Sequence, residues 1–313
     1  MQITASPKRH LIWQAPLSTY AQDGSAIAVG DALSTLQSVP SCAFRCCVTS
    51  PPYWGLRDYG IPYQIGAEMK LDEYVTNLGR VFDQVRRTLT EDGTLWLNLG
   101  DCYTSGGRAW RAPDRKNPAR AMDYRPETPE GLKPKDLLGL PWRVAFALQA
   151  AGWYLRSDII WYKPNCQPES VKDRPTRAHE YMFLLTKSEK YFYNHEAVRE
   201  STNGNGNVRN RRTVWSINTE PYGEAHFATF PGKLVEPCVL AGTEVGDLVL
   251  DPFFGSGTVG EVCRRLGRKF FGIELKEEYA QIARRRLGWE EESLDDFLEE
   301  AYRSRSGGAK EKP

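Results

Sequence analysis

The chain has 313 residues, of which 41% are hydrophobic and 26% are charged, and its formal net charge is +1. These values are typical of a globular protein with one large domain or two smaller ones, and no apolar run is long enough to span a membrane. Seven Cys form no pair of CxxC units and no His stands at metal-ligand spacing, so we expect no metal site. Their odd number, without a signal peptide, indicates reduced thiols and a cytoplasmic location.

Charge is unevenly distributed along the chain. Residues 289–313 carry eight acidic and four basic side chains, so the positive balance belongs to the residues before them. A modestly basic body with an acidic tail is typical of a protein that contacts phosphates without being coated in charge. Nine Trp and fifteen Tyr either pack in the core or offer flat faces for stacking on bases.

Short apolar runs alternate with helical patterns, which predicts an α/β fold with a doubly wound, mainly parallel sheet. In chain order, the predicted elements are a strand over 25–31, a helix over 31–39, a strand over 42–50, a helix over 71–89, a turn at 90–93, a strand over 93–100, a helix over 134–152, a strand over 153–163, two short strands around a turn within 179–194, a strand over 246–251, a helix over 259–267, a strand over 269–275 and a helix over 276–287.

Two stretches interrupt this alternation, residues 101–133 and residues 195–225. The first is rich in Pro, Gly and Arg, and the second has little apolar periodicity. Long connections of this kind in a compact domain are usually functional or flexible. Because both place Arg beside Trp, they are either loops that contact phosphates and stack on bases or plain surface insertions.

A glycine-rich turn follows a buried strand in LVLDPFFGSGTVGEVCRRLG (248–267). The strand ends at Asp251, and Gly255 and Gly257 permit close backbone approach to a ligand at the N-terminus of the following helix. The next strand ends at Glu274, where a carboxylate can accept hydrogen bonds from both hydroxyls of a ribose. The spacing is not GxGxxG, so the pattern indicates a nucleoside cofactor without identifying it.

The segment CCVTSPPYWGLRDYG (46–60) brings polar and aromatic residues to a second strand end. Ser50 reaches the carboxyl edge of the sheet, where open α/β folds bind ligands. Two prolines then stiffen the chain and provide no N–H groups, which leaves the Ser50 hydroxyl and backbone carbonyls as acceptors. With the flat faces of Tyr53 and Trp54, this cluster suits a planar base that carries an exocyclic amino group. A rigid loop with incidental aromatic residues is the alternative.

Together, TSPPYW and DPFFGSGT resemble the catalytic and cofactor motifs of the DNA amino methyltransferases. Their order, with the catalytic motif first, is similar to the circularly permuted β-class arrangement. The resemblance covers residues 25–288 and includes GDALSTL (30–36), EDGTLWLNLGD (91–101), WYKPN (161–165), RAHEYMFLLTKSEKYFYN (177–194) and HFATFPGKLVEP (226–237). It implies the S-adenosylmethionine-dependent methyltransferase fold, S-adenosyl-L-methionine as cofactor and double-stranded DNA as partner.

The resemblance also assigns roles to individual residues. The catalytic residues would be Ser50, Pro51, Pro52 and Tyr53. Asp251, Phe253, Gly255 and Gly257 would bind the methionine end of the cofactor, and Thr258 would begin the adjoining helix. Glu274 would bind its ribose, and Asp31 would bind its adenine amino group. Phe230, Pro231 and Lys233 would close over its methionine carboxylate. DNA would be contacted by Trp54, Arg57, Arg108, Arg111, Arg209, Arg211, Arg212 and Trp215.

In that family, Ser at the first position of the SPPY motif accompanies methylation of cytosine N4, whereas Asp there usually accompanies methylation of adenine N6. Ser50 therefore favours cytosine N4, with the base flipped out of the duplex and the methyl group transferred directly in line. Because no covalent intermediate is needed, Cys46 and Cys47 are expected to pack in their strand. Adenine N6 methylation is the first alternative, followed by an NAD-dependent oxidoreductase, which lacks its GxGxxG motif here, and by a non-catalytic nucleic-acid-binding module.

These assignments divide the chain into an N-terminal extension (1–24), a catalytic half (25–194) that contains an insertion (101–133), a target-recognition region (195–225), a cofactor-binding half (226–288) and an acidic tail (289–313). A restriction endonuclease that acts on the same DNA site is a candidate partner. The sequence leaves both monomer and dimer open, and it does not specify the DNA sequence that is recognised.

Overall fold

The computed structural model describes residues 19–61, 64–104, 125–202, 207–220 and 230–289. Its strands are β1 (Thr19–Gln22), β2 (Ser25–Val29), β3 (Phe44–Thr49), β4 (Leu89–Leu99), β5 (Tyr154–Tyr162), β6 (His179–Thr186), β7 (Glu200–Ser201), β8 (Val208–Arg209), β9 (Val214–Ser216), β10 (Leu248–Asp251) and β11 (Lys269–Glu274). Within these residues, nine strands form one sheet in the order β1-β2-β11-β10-β3-β4-β6-β5-β9, and β7 and β8 form a separate ribbon.

The α-helices of the described residues are α1 (Ala32–Ser38), α2 (Leu71–Thr88), α3 (Leu140–Ala150), α4 (Gly232–Gly242), α5 (Thr258–Arg265) and α6 (Glu277–Leu287). Because successive strand residues point to opposite faces, Cys47 and Leu95 pack into one core with α1, α2 and α3, whereas Cys46 and Trp96 pack into a second core with α4, α5 and α6. The predicted doubly wound α/β fold is therefore confirmed. None of the helices in this described part of the chain has both the length and the apolar content to cross a bilayer.

The centre of the sheet is parallel, because β2, β11, β10, β3 and β4 all run in one direction. From β10 the chain passes through α5 to β11 on one side, and from β3 it passes through α2 to β4 on the other side. The topological switch point therefore lies between β10 and β3, and their carboxyl ends border the crevice where such folds bind ligands. The catalytic motif follows β3 and the glycine turn follows β10, which is consistent with the predicted permutation.

The sheet is wider than predicted at both edges. Thr19–Gln22, within the predicted N-terminal extension, forms β1 in a hairpin with β2. Val214–Ser216, within the predicted target-recognition region, adds β9 in parallel to β5. Both strands are short and depend on backbone hydrogen bonds to an existing edge, so they need little apolar alternation of their own.

Three predicted local structures are wrong. Residues 90–93 do not form a turn but belong to β4, where the pairing with β3 has an irregularity. The third helix begins only at Leu140, because Gly139 adopts a left-handed conformation with φ of 66° and interrupts the pattern before it. The second strand predicted before residue 194 does not form, and Tyr193 instead stacks on the indole of Trp96.

Gly272 in β11 lies directly against the ring of Phe254, and a Cβ added there would come within 2.4 Å of that ring. We predict that Gly272→Ala lowers the free energy of unfolding by about 2 kcal/mol, as overpacking of a core usually does. Urea denaturation measures this change. Gly79→Ala on α2 is the matched control, since a Cβ there meets nothing within 4 Å, and it should be neutral or stabilise by ~0.5 kcal/mol. Equal stability of the two variants would contradict the prediction.

Candidate functional site

The crevice at the switch point brings the two sequence motifs together. Thr49, the last residue of β3, donates a hydrogen bond from Oγ1 to Oδ1 of Asp251, the last residue of β10, over 2.6 Å. Both side chains are buried. Ser50 and Tyr53 follow directly from Thr49, and the glycine turn follows directly from Asp251. The predicted catalytic and cofactor segments therefore lie side by side at one edge of the sheet.

Asp251 is a carboxyl group held by neutral donors. Besides the Thr49 hydroxyl, its Oδ1 accepts the backbone N–H of Phe253 over 3.1 Å. Burial raises the pKa of Asp251 to about 7, although these two hydrogen bonds act in the opposite direction. Because hydroxyl and N–H donors leave the negative charge uncompensated, a cationic group bound in the crevice would interact favourably with this carboxylate.

The turn after Asp251 relies on conformations that favour glycine. Gly255 and Gly257 have φ of 54° and 82°, both in the left-handed region. A Cβ built on Gly255 meets no atom within 4 Å, so the turn is open at that point. Phe253 packs partly buried against one core, and Phe254 is buried beneath the turn. The backbone can therefore contact a ligand in the crevice.

Glu274 supports the glycine turn from the neighbouring strand. Its Oε2 accepts the backbone N–H of Gly255 over 2.8 Å, and its Oε1 accepts the N–H of Lys276 over 2.9 Å. Burial raises the pKa of Glu274 above its ordinary value. The backbone N–H of Leu275 is a third donor to Glu274. A carboxylate offers about four acceptor positions, so one remains for a hydroxyl of a ligand.

Two of the predicted cofactor residues have structural partners of their own. Asp31 is exposed and caps α1, because its Oδ1 accepts the N–H of Ser34 over 2.8 Å. Thr258 is buried, and its hydroxyl accepts a hydrogen bond from the Arg286 guanidinium over 2.9 Å. The Thr258 hydroxyl therefore joins α5 to α6, and the role of Thr258 in cofactor binding stays a prediction.

Phe230, Pro231 and Lys233 lie at the start of α4. Phe230 packs against the core between α4 and α5, and Pro231 is buried at the cap of the helix. The Lys233 side chain is 76% exposed, and its Nζ lies 3.8 Å from a carboxylate oxygen of Glu220. The start of α4 therefore lies on the same side of the sheet as α5, which directly follows the glycine turn. The charged end of Lys233 is accessible.

A polar cluster that sequence reasoning missed surrounds Tyr53. Its hydroxyl donates to Oε2 of Glu180 over 2.9 Å and lies 3.3 Å from Oδ1 of Asn98 and 3.5 Å from Oγ of Ser50. The other oxygen of Glu180 forms an ion pair with Lys163. The sequence feature that could have predicted this cluster is a single polar residue within each of two apolar strands, Asn98 in β4 and Glu180 in β6.

The Ser-Pro-Pro-Tyr segment is held rigidly against this cluster. The Tyr74 hydroxyl on α2 donates to the carbonyl of Pro52 over 2.9 Å. A Cβ added to Gly100 would lie 2.7 Å from the Tyr53 ring, so only glycine permits the ring to approach the end of β4. Burial, followed by the charge of Glu180, raises the pKa of Tyr53 well above its ordinary value. Tyr53 is therefore a neutral phenol in a fixed position.

The family model described as DNA methylase, whose name joins N6 and N4 methyltransferases, matches residues 44–285, which include both motifs. This chain belongs to that DNA methylase family. A Citrobacter freundii relative, Type II methyltransferase M.Cfr9I, is 62% identical over 87% of this chain and 90% of its own length. Type II methyltransferase M.SmaI of Serratia marcescens is also 62% identical, over 83% of this chain and 90% of its own. The predicted family is confirmed.

Solved structures of similar proteins support the fold of this methylase. The PvuII DNA methyltransferase, described as cytosine-N4-specific, aligns with a TM-score of 0.68 at 22% identity, over 95% of this chain and 98% of its own. The Thermus thermophilus protein TTHA0409, solved in complex with S-adenosyl-L-methionine, aligns with a TM-score of 0.56 at 26% identity, over 83% of this chain and 91% of its own. The permuted methyltransferase architecture predicted above is consistent with both.

Two tryptophans predicted to contact DNA belong instead to the hydrophobic cores of the methylase. Trp54 is 5% exposed, and its indole N–H donates to the carbonyl of Glu68 over 2.9 Å. Trp215 is 6% exposed, and its indole N–H donates to the carbonyl of Arg212 over 2.8 Å. Neither indole presents an open face to a base, because both side chains are buried.

Arg57 is also placed differently from the prediction. It is 8% exposed and forms a side-chain hydrogen bond with Tyr59, whose ring contacts that of Tyr279 at 6.4 Å between centroids. The pKa of Tyr59 is raised mainly by burial and also by the charge of Glu274, which lies close by. Arg57 therefore lies on the side of the crevice that contains Glu274 and not on an exposed DNA-contacting surface.

The remaining predicted DNA contacts divide into two groups. Arg209 and Arg212 both direct Nε to the same oxygen of Glu200, over 2.8 and 2.7 Å, with side chains 37% and 68% exposed. Arg211 lies above the Trp215 ring at 4.6 Å from its centre. Arg209 and Arg212 remain accessible near the β7–β8 ribbon, whereas Arg211 is half-buried and its Nε atom is buried. Arg108 and Arg111 lie outside the described residues.

The raised pKa of Asp251 makes the stability of the methylase dependent on pH. Burial favours its protonated form in the folded state, so its contribution is fully present below the ordinary pKa of 3.8 and is lost as pH rises through about 7. We predict that Asp251→Asn, which retains the acceptor oxygen, is more stable than the wild type at pH 8 by on the order of 2–4 kcal/mol, and equally stable near pH 4.

Urea denaturation at several pH values between 4 and 8 measures this difference. Asp83→Asn, at an exposed position on α2, is the control and should change stability by less than ~0.5 kcal/mol at each pH. A constant difference between Asp251→Asn and the wild type across this range would contradict the prediction.

Proposed function

We propose that this DNA methyltransferase transfers a methyl group to N4 of cytosine within a specific double-stranded sequence. The main observation that supports cytosine as the target base is Ser50 at the first position of the Ser-Pro-Pro-Tyr motif, next to the Thr49–Asp251 hydrogen bond at the switch point. Action at a specific sequence is supported by relatives that are 62% identical and are described as Type II methyltransferases.

The cofactor of these enzymes, S-adenosylmethionine, fits the residues of the crevice. Its cationic methionine end would be balanced by the buried carboxylate of Asp251, whose partners here are neutral donors. The acceptor position that Glu274 retains would accept from a ribose hydroxyl, and the open space at Gly255 admits the ligand. Asp31 would meet the adenine amino group, and residues 230–233 would close over the methionine carboxylate.

The protein contributes alignment and removal of water more than a strong base. When bound, the cofactor supplies a methyl group on a sulfonium, which is an excellent leaving group. The amino nitrogen of cytosine is a poor nucleophile, because its lone pair is delocalised into the ring. The Ser50 hydroxyl and the Pro51 carbonyl would accept hydrogen bonds from that amino group and localise its lone pair. The Tyr53 ring, fixed by Glu180, would hold the flipped base.

We propose that residues 195–225 read the DNA sequence, with help from residues 101–133. Accessible guanidinium groups suit both phosphates and guanine edges. The arginines proposed to contact DNA are Arg108, Arg111, Arg209, Arg211 and Arg212. A restriction endonuclease that cuts the same sequence is the proposed partner, because the relatives at 62% identity are described as Type II methyltransferases.

The target base can be identified directly. We predict that double-stranded DNA incubated with the purified protein and S-adenosylmethionine, digested to nucleosides and analysed by mass spectrometry, contains N4-methylcytosine. DNA incubated without the cofactor is the control. Detection of N6-methyladenine in its place would overturn the proposed base, whereas the family membership would be unaffected.

Two variants separate the proposed catalytic and cofactor roles. Ser50→Ala should lower the single-turnover rate of methylation by about 100-fold, because the amino group loses its acceptor, and leave cofactor affinity within about twofold of the wild type. Glu274→Gln should raise the dissociation constant of the cofactor by about tenfold, as expected for a lost hydrogen bond to a charged group. Isothermal titration and quenched-flow kinetics measure the two effects. Wild-type turnover in Ser50→Ala would contradict the role of Ser50.

A further inference from the structure

A carboxylate and a lysine lie behind the catalytic tyrosine. Glu180 and Lys163 form an ion pair in which each side chain is only 17% exposed, and the Lys163 ammonium also lies 4.2 Å from the centre of the Trp161 ring. Holding two charges in such a setting costs desolvation energy. The roles proposed above use this pair only to fix the position of Tyr53, whose hydroxyl donates to Oε2 of Glu180.

The hydroxyls of Ser50 and Tyr53 and the carboxylate of Glu180 form a continuous path. Ser50 Oγ lies 3.5 Å from the Tyr53 hydroxyl, which lies 2.9 Å from Glu180 Oε2. The Asn98 amide stands beside the path at 3.3 Å and is oriented by its own bond to the Tyr181 carbonyl over 3.0 Å. Since the single phenolic proton has its shortest contact with Glu180, the path is directed from Ser50 towards Glu180.

Tyr53 can pass a proton but does not hold a negative charge. Burial and the adjacent carboxylate raise the pKa of Tyr53 well above its ordinary value, so the phenol stays neutral. A neutral phenol can accept a proton at its oxygen only while it donates its own. Glu180 is the anionic group at the end of the path, and the neighbouring Lys163 compensates its charge.

We propose that Glu180 is the proton acceptor of the methylation reaction and is reached through Ser50 and Tyr53, an inference that rests on the proposed role of Ser50. Once the nitrogen–methyl bond forms and the methyl–sulfur bond breaks, the sulfur leaves as a neutral thioether and the nitrogen carries one proton too many. That proton moves to Ser50, the Ser50 proton moves to Tyr53, and the Tyr53 proton moves to Glu180. The partly exposed carboxyl group then releases it to water.

Glu180→Gln in the full-length protein tests this path, because its amide oxygen can still accept the Tyr53 hydrogen bond but cannot take the proton. We expect the single-turnover rate to fall by about 100-fold. Cofactor affinity should not change, whereas the melting temperature should fall because Lys163 loses its carboxylate partner. The rate of Glu180→Gln should rise with imidazole concentration, since the buffer base replaces the carboxylate, and its pH profile should differ from that of the wild type.

Three further variants sharpen the test. Tyr53→Phe retains the ring and removes the relay, so it should produce a similar loss, and Glu180→Gln combined with Tyr53→Phe should be no slower than the slower single variant. Glu91→Gln is the matched control, because Glu91 also pairs with a lysine, Lys187, at the opposite end of β4. It should methylate at the wild-type rate.

Wild-type rate and pH dependence in Glu180→Gln would overturn the proposal, and so would multiplied losses in the double variant. If Glu180→Gln is slow while Ser50→Ala is fully active, the proposed role of Ser50 fails, together with the part of the path that begins at Ser50. Methylation of adenine by the wild type would change the proposed base only, because both amino groups must lose a proton. Tyr53→Phe keeps the test decisive if Glu180→Gln does not fold.

Discussion

One hydrogen bond at the switch point, from Thr49 to Asp251, joins the two halves of the site. Its partners are 202 residues apart in the sequence, and both end strands that are neighbours in the sheet. Because parallel strands deliver their following loops to the same edge, this contact places the Ser-Pro-Pro-Tyr segment beside the glycine turn. The hydroxyl also stabilises a carboxylate that burial would otherwise destabilise further. The crevice, and thus the proposed alignment of base and cofactor, depends on this junction.

Three carboxyl groups border the crevice, and each is supported differently. Asp251 is held by a hydroxyl and an N–H group, Glu274 by three backbone N–H groups, and Glu180 by the Tyr53 phenol and the Lys163 ammonium. The first two are buried without a cationic side chain among these partners, so they suit a cationic ligand that donates hydrogen bonds. Glu180 has its own cation, Lys163, and accepts the hydroxyl of Tyr53. This difference in charge partners matches the proposed cofactor binding by Asp251 and Glu274 and the proposed proton removal by Glu180.

Family membership and local geometry support different parts of the functional conclusion. The matched DNA methylase family covers residues 44–285 and establishes the class of enzyme. The geometry adds which side chains are accessible for each task, and it moves Arg57 from the DNA surface to the vicinity of Glu274. Base stacking by Trp54 and Trp215 is excluded by their burial in the cores. The proposed contact with DNA therefore rests on accessible arginines such as Arg212.

The sequence by itself determined the α/β class, most helices and strands, and the positions of both motifs at strand ends. Those features depend on local apolar periodicity and on the conformations that glycine and proline permit, which neighbouring residues encode. Only the tertiary structure decided the burial of Trp54, the edge strand that contains Trp215, and the pairing of Glu180 with Tyr53 and Lys163. These features arise where segments far apart in the chain pack together, and the burial and charge partners of a side chain are set by those distant segments.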